Sequence, residues 1–242
     1  MTDNIPNPEQ IRALFDRIAP VYDQLNAWLS LGQHQIWKRM AVKWSQPAAG
    51  ATCLDLCCGS GDLAQMLARA VGPSGQVFGL DFSSEQLAIA RRRSSHLAAN
   101  LKITWVEADA LNIPFEAQTF DAITMGYGLR NVRDIPACLQ EVHRVLKPGC
   151  RAAILDLHRS SNFWIQAFQQ WYLQTLVVPV ATQFGLTQEY AYLAPSLERF
   201  PTGQEQVSLA LQAGFSQATH YAIAAGTMGV LVLTKAVDEK ID

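Results

Sequence analysis

Net charge is nearly absent from this 242-residue sequence: 19 basic side chains against 21 acidic ones leave −2 at neutral pH, with a pI near 6.2. No basic stripe is left to follow a phosphate backbone, so nucleic acid is excluded as a partner. The one basic run, Arg91-Arg92-Arg93, comes late in a helical pattern that starts at Ser83. Cations suit a helix C-terminus, and the run reads as a solvated face. Cysteine is scarce: five residues, at 53, 57, 58, 138 and 150, odd in number and without a C-x-x-C pair. That pattern favours small buried side chains in a reducing compartment over a disulfide frame or a metal knuckle, and no metal site is expected. The start of the chain has neither a positive cluster nor an apolar run, so no secretory signal is expected and the protein is expected in the cytoplasm.

The longest absence lies further on, where residues 160–188 carry no formal charge at all. Trp164, Ala167, Phe168, Trp171 and Thr175 share one helical face there, and Gln166, Gln170 and Gln174 share another. The glutamines and Pro179 interrupt a membrane span. Three readings stay open: an ordinary buried helix, a lid over a long apolar substrate, or a contact with a membrane surface.

What is present is organised around residues 51–64, Ala-Thr-Cys-Leu-Asp55-Leu-Cys-Cys-Gly59-Ser60-Gly61-Asp62-Leu-Ala. A mostly apolar strand runs up to Leu56, a glycine turn follows, and Asp62 opens a helix. Asp81 comes 20 positions after Gly61, at the end of a second strand pattern with Phe82 beside it. A carboxylate there can accept both hydroxyls of a ribose, so the pair implies an adenosine-containing cofactor. Gly59-x-Gly61-x-x-Ala64 also satisfies a dinucleotide fingerprint. Asp55 and Asp62, however, put negative charge where a pyrophosphate would sit, and this favours a cofactor that carries a cationic amino acid, S-adenosyl-L-methionine.

Along the chain, helical spacing over residues 8–45 sets Ile11, Leu14, Phe15 and Ile18 on one face and later Ile36, Trp37 and Met40 on another. Strands are expected at 51–57, 76–81, 102–107, 120–125 and 150–157, with helices at 62–71, from the Ser83-x-x-Gln86 capping box towards Leu97, and from Ile135 to Leu146. A helix at about 203–213 and strands at 216–224 and 227–235 form a terminal antiparallel hairpin turned at Ala225-Gly226. The fold class is α/β: a doubly wound, Rossmann-like, mostly parallel seven-stranded sheet with N-terminal helices. Residues 1–45 form a helical cap within the same domain, and 46–237 form the catalytic domain with a helical insertion at about 160–200. Ligands in such folds sit beyond the carboxyl ends of the strands, where Asp55, Asp81, Asp109-Ala110 and the Gly126 loop all fall. The cofactor set is therefore Asp55, Gly59, Ser60, Gly61, Asp81, Phe82, Asp109, Ala110 and Gly126.

Two further segments carry a resemblance. Tyr22-Asp-Gln-Leu-Asn26-Ala-Trp-Leu-Ser30-Leu-Gly-Gln-His34-Gln-Ile-Trp37 resembles the first signature of the ubiquinone/menaquinone biosynthesis C-methyltransferase family, and Arg144-Val-Leu-Lys-Pro-Gly149 resembles its second. The glycine turn, Asp81, Asp109-Ala110 and Gly126-Tyr-Gly-Leu-Arg-Asn-Val132 follow in the family's order, so the likeness covers roughly residues 10–235. Departures stand at Leu25, at Cys57-Cys58, at Cys150 and at Asp156-Leu-His158. The cysteine-containing turn and the ending Ala224-Ala-Gly-Thr-Met-Gly-Val-Leu-Val look most like the branch from oxygenic phototrophs that methylates 2-phytyl-1,4-naphthoquinone on the way to phylloquinone.

The resemblance implies C-methylation of a prenylated naphthoquinol with S-adenosylmethionine. A quinone ring is a poor nucleophile, so the reduced, partly ionised quinol is the reactant and something must take its proton. His34 is the candidate base, because an imidazole can take up a proton near neutral pH. Arg130 and Asn131 are candidates to stabilise a phenolate or hold a water, and Tyr22 and Asp23 to orient the ring. The alternatives are demethylmenaquinol or a benzoquinol as acceptor and, at a distance, a non-catalytic cofactor-fold protein or an NAD-dependent reductase. A peripheral membrane contact and a homodimer stay open as further partners.

Overall fold

The computed structural model describes residues 30, 32–96, 100–160, 162–177, 179 and 193–237. Seven strands form one sheet in the order β3-β2-β1-β4-β5-β7-β6. In chain order the elements are α1 (His34–Ser45), β1 (Thr52–Leu56), α2 (Asp62–Val71), β2 (Gln76–Asp81), α3 (Ser84–Ser94), β3 (Ile103–Glu107) and β4 (Phe120–Gly126). There follow α4 (Ile135–Val145), β5 (Leu146–Leu157), α5 (Phe163–Tyr172), α6 (Leu193–Arg199), α7 (Gly203–Gln212), β6 (Gln217–Ile223) and β7 (Met228–Thr234). Strands β1 to β5 pair in parallel, β7 runs antiparallel to β5, and β6 antiparallel to β7. The chain starts at β1, winds out to β3 and returns to β4 on the other side of β1. The crevice where a ligand binds in such sheets therefore lies over β1 and β4.

Central strands with apolar residues on both faces need cover on both faces, and two core clusters supply it. One gathers Leu54, Phe120, Ile123, Leu139, Val142 and Phe215, and the other Cys53, Leu63, Leu67, Val77, Ala122 and Val230. Caps set where helices begin. Ser83 Oγ accepts from Gln86 N at 3.1 Å, and Asp134 Oδ1 accepts from Ala137 N at 2.9 Å, each worth about 1 kcal/mol. Thr202 and Glu205 close a reciprocal box at the start of α7.

Three expectations need correction. Strand β5 begins at Leu146, not at 150. Leu146 pairs with Phe120, and the ladder resumes only at Arg151, because Pro148 has no N–H to give and Gly149 sits at φ +74°. Of the expected Ile36, Trp37 and Met40, Trp37 packs half-buried against the second core cluster, but theirs is not the most buried face of α1. Ile36 is 54% exposed, and the buried residues are His34, Lys38, Ala41, Val42 and Ser45. In the charge-free segment the aromatic face of α5 points outward: Phe163, Trp164, Phe168 and Trp171 are all exposed, so this is no ordinary buried helix. Among the described residues no helix is long and apolar enough to cross a membrane.

Candidate active site

The carboxyl ends of β1, β2, β3 and β4 open into a cleft. Its wall includes Gly59, Asp81, Phe82, Asp109, Ala110 and Gly126 from the expected cofactor set, and Asn131 from the expected catalytic set. Cys57, Leu80, Gln86, Ala108, Leu111, Tyr127, Gly128, Val132 and Arg133 complete it and were not anticipated as wall. Asp55, Ser60, Gly61, His34 and Arg130 are placed elsewhere, and Tyr22 and Asp23 lie outside the described residues.

The glycine turn is shaped by contacts at its back. Gly61 stands at φ +86°, and a Cβ there would fall 2.5 Å from Cη2 of Trp105, so helix α2 can start this close to the sheet only from a glycine. Gly59, at φ +52°, faces the cleft; the nearest atom to a Cβ would be Gln86 Oε1 at 3.8 Å. Its N–H donates to Asp81 Oδ2 at 2.8 Å, while Asp81 Oδ1 accepts from Ser83 N at 3.0 Å. A carboxylate offers about four acceptor positions, so Asp81 can hold the turn and still receive hydroxyls from a ligand. Cys57, itself at φ +53°, fits because Gly128 has no side chain: a Cβ at Gly128 would lie 2.6 Å from Cys57 Cβ. Burial pushes the Cys57 and Cys58 thiols well above their ordinary range, so they remain neutral, poor nucleophiles.

Asp55 lies beneath the cleft. It is fully buried; Oδ1 accepts from Thr124 Oγ1 at 2.9 Å and Oδ2 from Ala64 N at 2.8 Å, one of the orphan donors of the first turn of α2. Burial pushes its carboxyl up to about 7, against the pull of those two hydrogen bonds. The native state therefore keeps this proton to higher pH than the unfolded chain does. The stability that results is complete below about 3.8 and is lost as pH rises through about 7. Asp55→Asn, which cannot ionise, should gain on the wild type by roughly 2–3 kcal/mol between pH 5 and pH 8 in urea unfolding. A pH-independent difference would contradict the assignment.

A polar network ties α1 to the cofactor turn. Lys38 Nζ lies 2.7 Å from Asp62 Oδ2, and Arg93 donates to Asp62 Oδ1 at 2.5 Å and to Ser60 Oγ at 2.6 Å. Burial works against the Asp62 carboxylate, yet Lys38 and then Arg93 hold it below the usual range. Arg93 is thus no solvated cation, a correction to the reading of the basic run: its carboxylate partner sits 31 residues away in the chain. Lys38 also lies 5.9 Å from the centroid of the Tyr127 ring in the cleft wall.

His34 is buried at the head of α1. Gln35 Nε2 donates to Asp62 Oδ2 at 3.3 Å, which fixes the orientation of that amide; the same nitrogen approaches His34 Nε2 at 3.1 Å. An amide nitrogen can only donate, so Nε2 accepts and the imidazole proton sits on Nδ1, 2.8 Å from Ser30 Oγ. To act as a base at Nε2, His34 must first release Gln35. Arg130 lies behind the cleft in a buried ion pair, its Nη1 2.5 Å from Asp156 Oδ1 and donating also to Tyr127 O at 3.0 Å. Asn131 donates from Nδ2 to the same Tyr127 carbonyl at 2.9 Å, which leaves Oδ1 as a buried acceptor with no partner among the described residues.

The profile of the ubiE/COQ5 methyltransferase family matches residues 4–235. The chain belongs to that family. A 2-phytyl-1,4-naphthoquinone methyltransferase of Trichormus variabilis is 62% identical over 226 residues, covering 93% of this chain and 99% of that one. The chloroplastic 2-phytyl-1,4-beta-naphthoquinone methyltransferase of Arabidopsis thaliana is 55% identical over 223 residues, 91% of this chain and 85% of its own. Among solved structures, a SAM-dependent methyltransferase of Aquifex aeolicus superposes with a TM-score of 0.63 at 18% identity, over 87% of this chain and 96% of its own, a likeness of fold. The expected seven-stranded, mostly parallel sheet and methyltransferase class are thereby both met.

Proposed function

We propose that this ubiE/COQ5 family enzyme transfers a methyl group from S-adenosylmethionine to a ring carbon of a prenylated naphthoquinol, most directly 2-phytyl-1,4-naphthoquinol. The observation that carries the reading is the cleft at the carboxyl edge of the sheet, which combines a carboxylate, a bare glycine turn and an apolar wall.

The residues present fit the cofactor. Asp81 supplies the ribose acceptor, Gly59 a backbone that a ligand can approach closely, and Phe82, Ala110, Leu111 and Val132 an apolar wall for a flat base. When bound there, S-adenosylmethionine supplies an electrophilic methyl group. The chain's own part is to orient and to handle charge, since no covalent enzyme intermediate is needed. Asn131 lines the cleft with its amide held by the Tyr127 carbonyl; its Oδ1 is buried as the side chain stands, and a turn of that amide would bring it to the hydroxyl of the quinol. A hydrogen bond accepted from that hydroxyl leaves more electron density on the ring and raises its nucleophilicity, and the proton shed by the methylated ring carbon passes to water in the cleft. The Arg130 and Asp156 pair holds the Tyr127 carbonyl in place and so keeps Asn131 aimed.

The test is methyl transfer by the purified protein, read as S-adenosylhomocysteine released. The phytylated naphthoquinol should exceed a benzoquinol with the same tail by at least about tenfold in kcat/KM, since even one missing methylene is worth about that much in an apolar site. Equal values would reject the naphthoquinol as the preferred acceptor.

A further inference from the structure

Helix α5 presents its surface the wrong way round for a water-facing element. Phe163, Trp164, Phe168 and Trp171 are 69%, 78%, 52% and 53% exposed, while one glutamine, Gln169, takes the inner side. The orientation is built in. Gln169, 8% exposed, donates from Nε2 to His158 O at 2.9 Å and to Thr227 O at 3.1 Å, so it pins the helix to both β5's exit and the β6–β7 turn. Gln166 Nε2 donates to Ser160 O at 2.6 Å. Ile165 Cδ1 sits 2.9 Å from where a Cβ on Gly226 would be. Held by three anchors on one side, the helix cannot roll its aromatic face inward.

We infer that this outward face docks the protein on the surface of a lipid bilayer. The inference rests on the reading of a prenylated acceptor, a molecule that dissolves in membranes, and it names where the enzyme meets that phase. Trp and Phe are the residues that settle at the level of lipid headgroups. With no formal charge from residue 160 to residue 188, the face has nothing to set against an acidic or basic partner and no charge to strip on entering the interface. A second copy of the chain is a poorer occupant. Four half-exposed aromatic side chains offer about 400–500 Å², against about 800 Å² per partner in a stable interface. The face also lies on the right side of the sheet: α5 follows the carboxyl end of β5, and Tyr127 of the cleft wall donates its N–H to Leu155 near that end. The acceptor ring can then enter the cleft while its tail remains in the bilayer.

The experiment compares the wild type with a Trp164→Ser, Trp171→Ser double variant by co-sedimentation with neutral phosphatidylcholine vesicles and by turnover. Partitioning should fall by about tenfold or more in the variant and should be insensitive to salt in both proteins. The apparent KM for acceptor embedded in vesicles should rise in parallel, while kcat/KM for a tailless, water-soluble naphthoquinol stays within about twofold. Equal partitioning of the two proteins would overturn the inference. So would an equal loss on the soluble acceptor, which would make α5 part of the site, or a wild-type dimer in sedimentation that the variant dissociates, which would hand the face to a second copy. If neither protein methylates any quinol yet the partitioning difference holds, the docking surface stands and the acceptor reading fails.

Discussion

Kept oxidised, 2-phytyl-1,4-naphthoquinone should accept no methyl group from this enzyme, whereas the same ring reduced with dithionite under nitrogen should be methylated. The expected ratio of rates is above about a thousandfold, some 4 kcal/mol in the barrier. The reason lies in the acceptor and in what the cleft offers it. A quinone ring is electron-poor and has no hydroxyl to donate. The proposed partner, the amide oxygen of Asn131, is an acceptor, which a quinone carbonyl cannot satisfy and a quinol hydroxyl can. The neutral thiols of Cys57 and Cys58 supply no alternative nucleophile. Comparable rates with reduced and air-oxidised acceptor would reject this chemistry.

Asp81→Ala should weaken S-adenosylmethionine binding by about 1.5–3 kcal/mol, roughly ten- to more than a hundredfold in Kd by calorimetry. Charge-assisted hydrogen bonds to the ribose are lost, and so is the carboxylate that receives the Gly59 and Ser83 amides. Asp81→Asn separates the two losses. It keeps one carbonyl acceptor for the turn, so it should recover thermal stability more than it recovers affinity. Unchanged affinity in a folded Asp81→Ala protein would remove the end of β2 from the cofactor site.

Much of this architecture was legible from residue order. Alternating apolar strands and amphipathic helices predicted β1 to β4 within a few residues, and the acidic or glycine residues after them fall at the carboxyl edge where the cleft opens. What escaped depends on partners remote in the chain. Apolar periodicity could not show that α1 buries a polar face, because His34 and Lys38 are drawn in by Gln35 and by Asp62, which lies 24 residues beyond Lys38. Arg93 looked like the end of a solvated run until the fold set Asp62 and Ser60 against it. Cys57 and Gly128 accommodate each other across β1 and β4, a reciprocity with no local pattern. Asp55 reads as a ligand carboxylate from its place at the end of a strand. Its burial beneath the turn comes from the first-turn amide of α2 and the Thr124 hydroxyl of β4, which claim both its oxygens.

The central claim, methylation at carbon on a prenylated naphthoquinol, is tested most directly by following the methyl group itself. Reduced 2-phytyl-1,4-naphthoquinone would be incubated with the protein and S-adenosylmethionine bearing a trideuterated methyl, and the product analysed by mass spectrometry and NMR. The account predicts one labelled methyl on the ring carbon beside the phytyl-bearing carbon, with an equivalent of S-adenosylhomocysteine released. Label on a hydroxyl oxygen, or no transfer at all from a folded protein that binds S-adenosylmethionine, would contradict it.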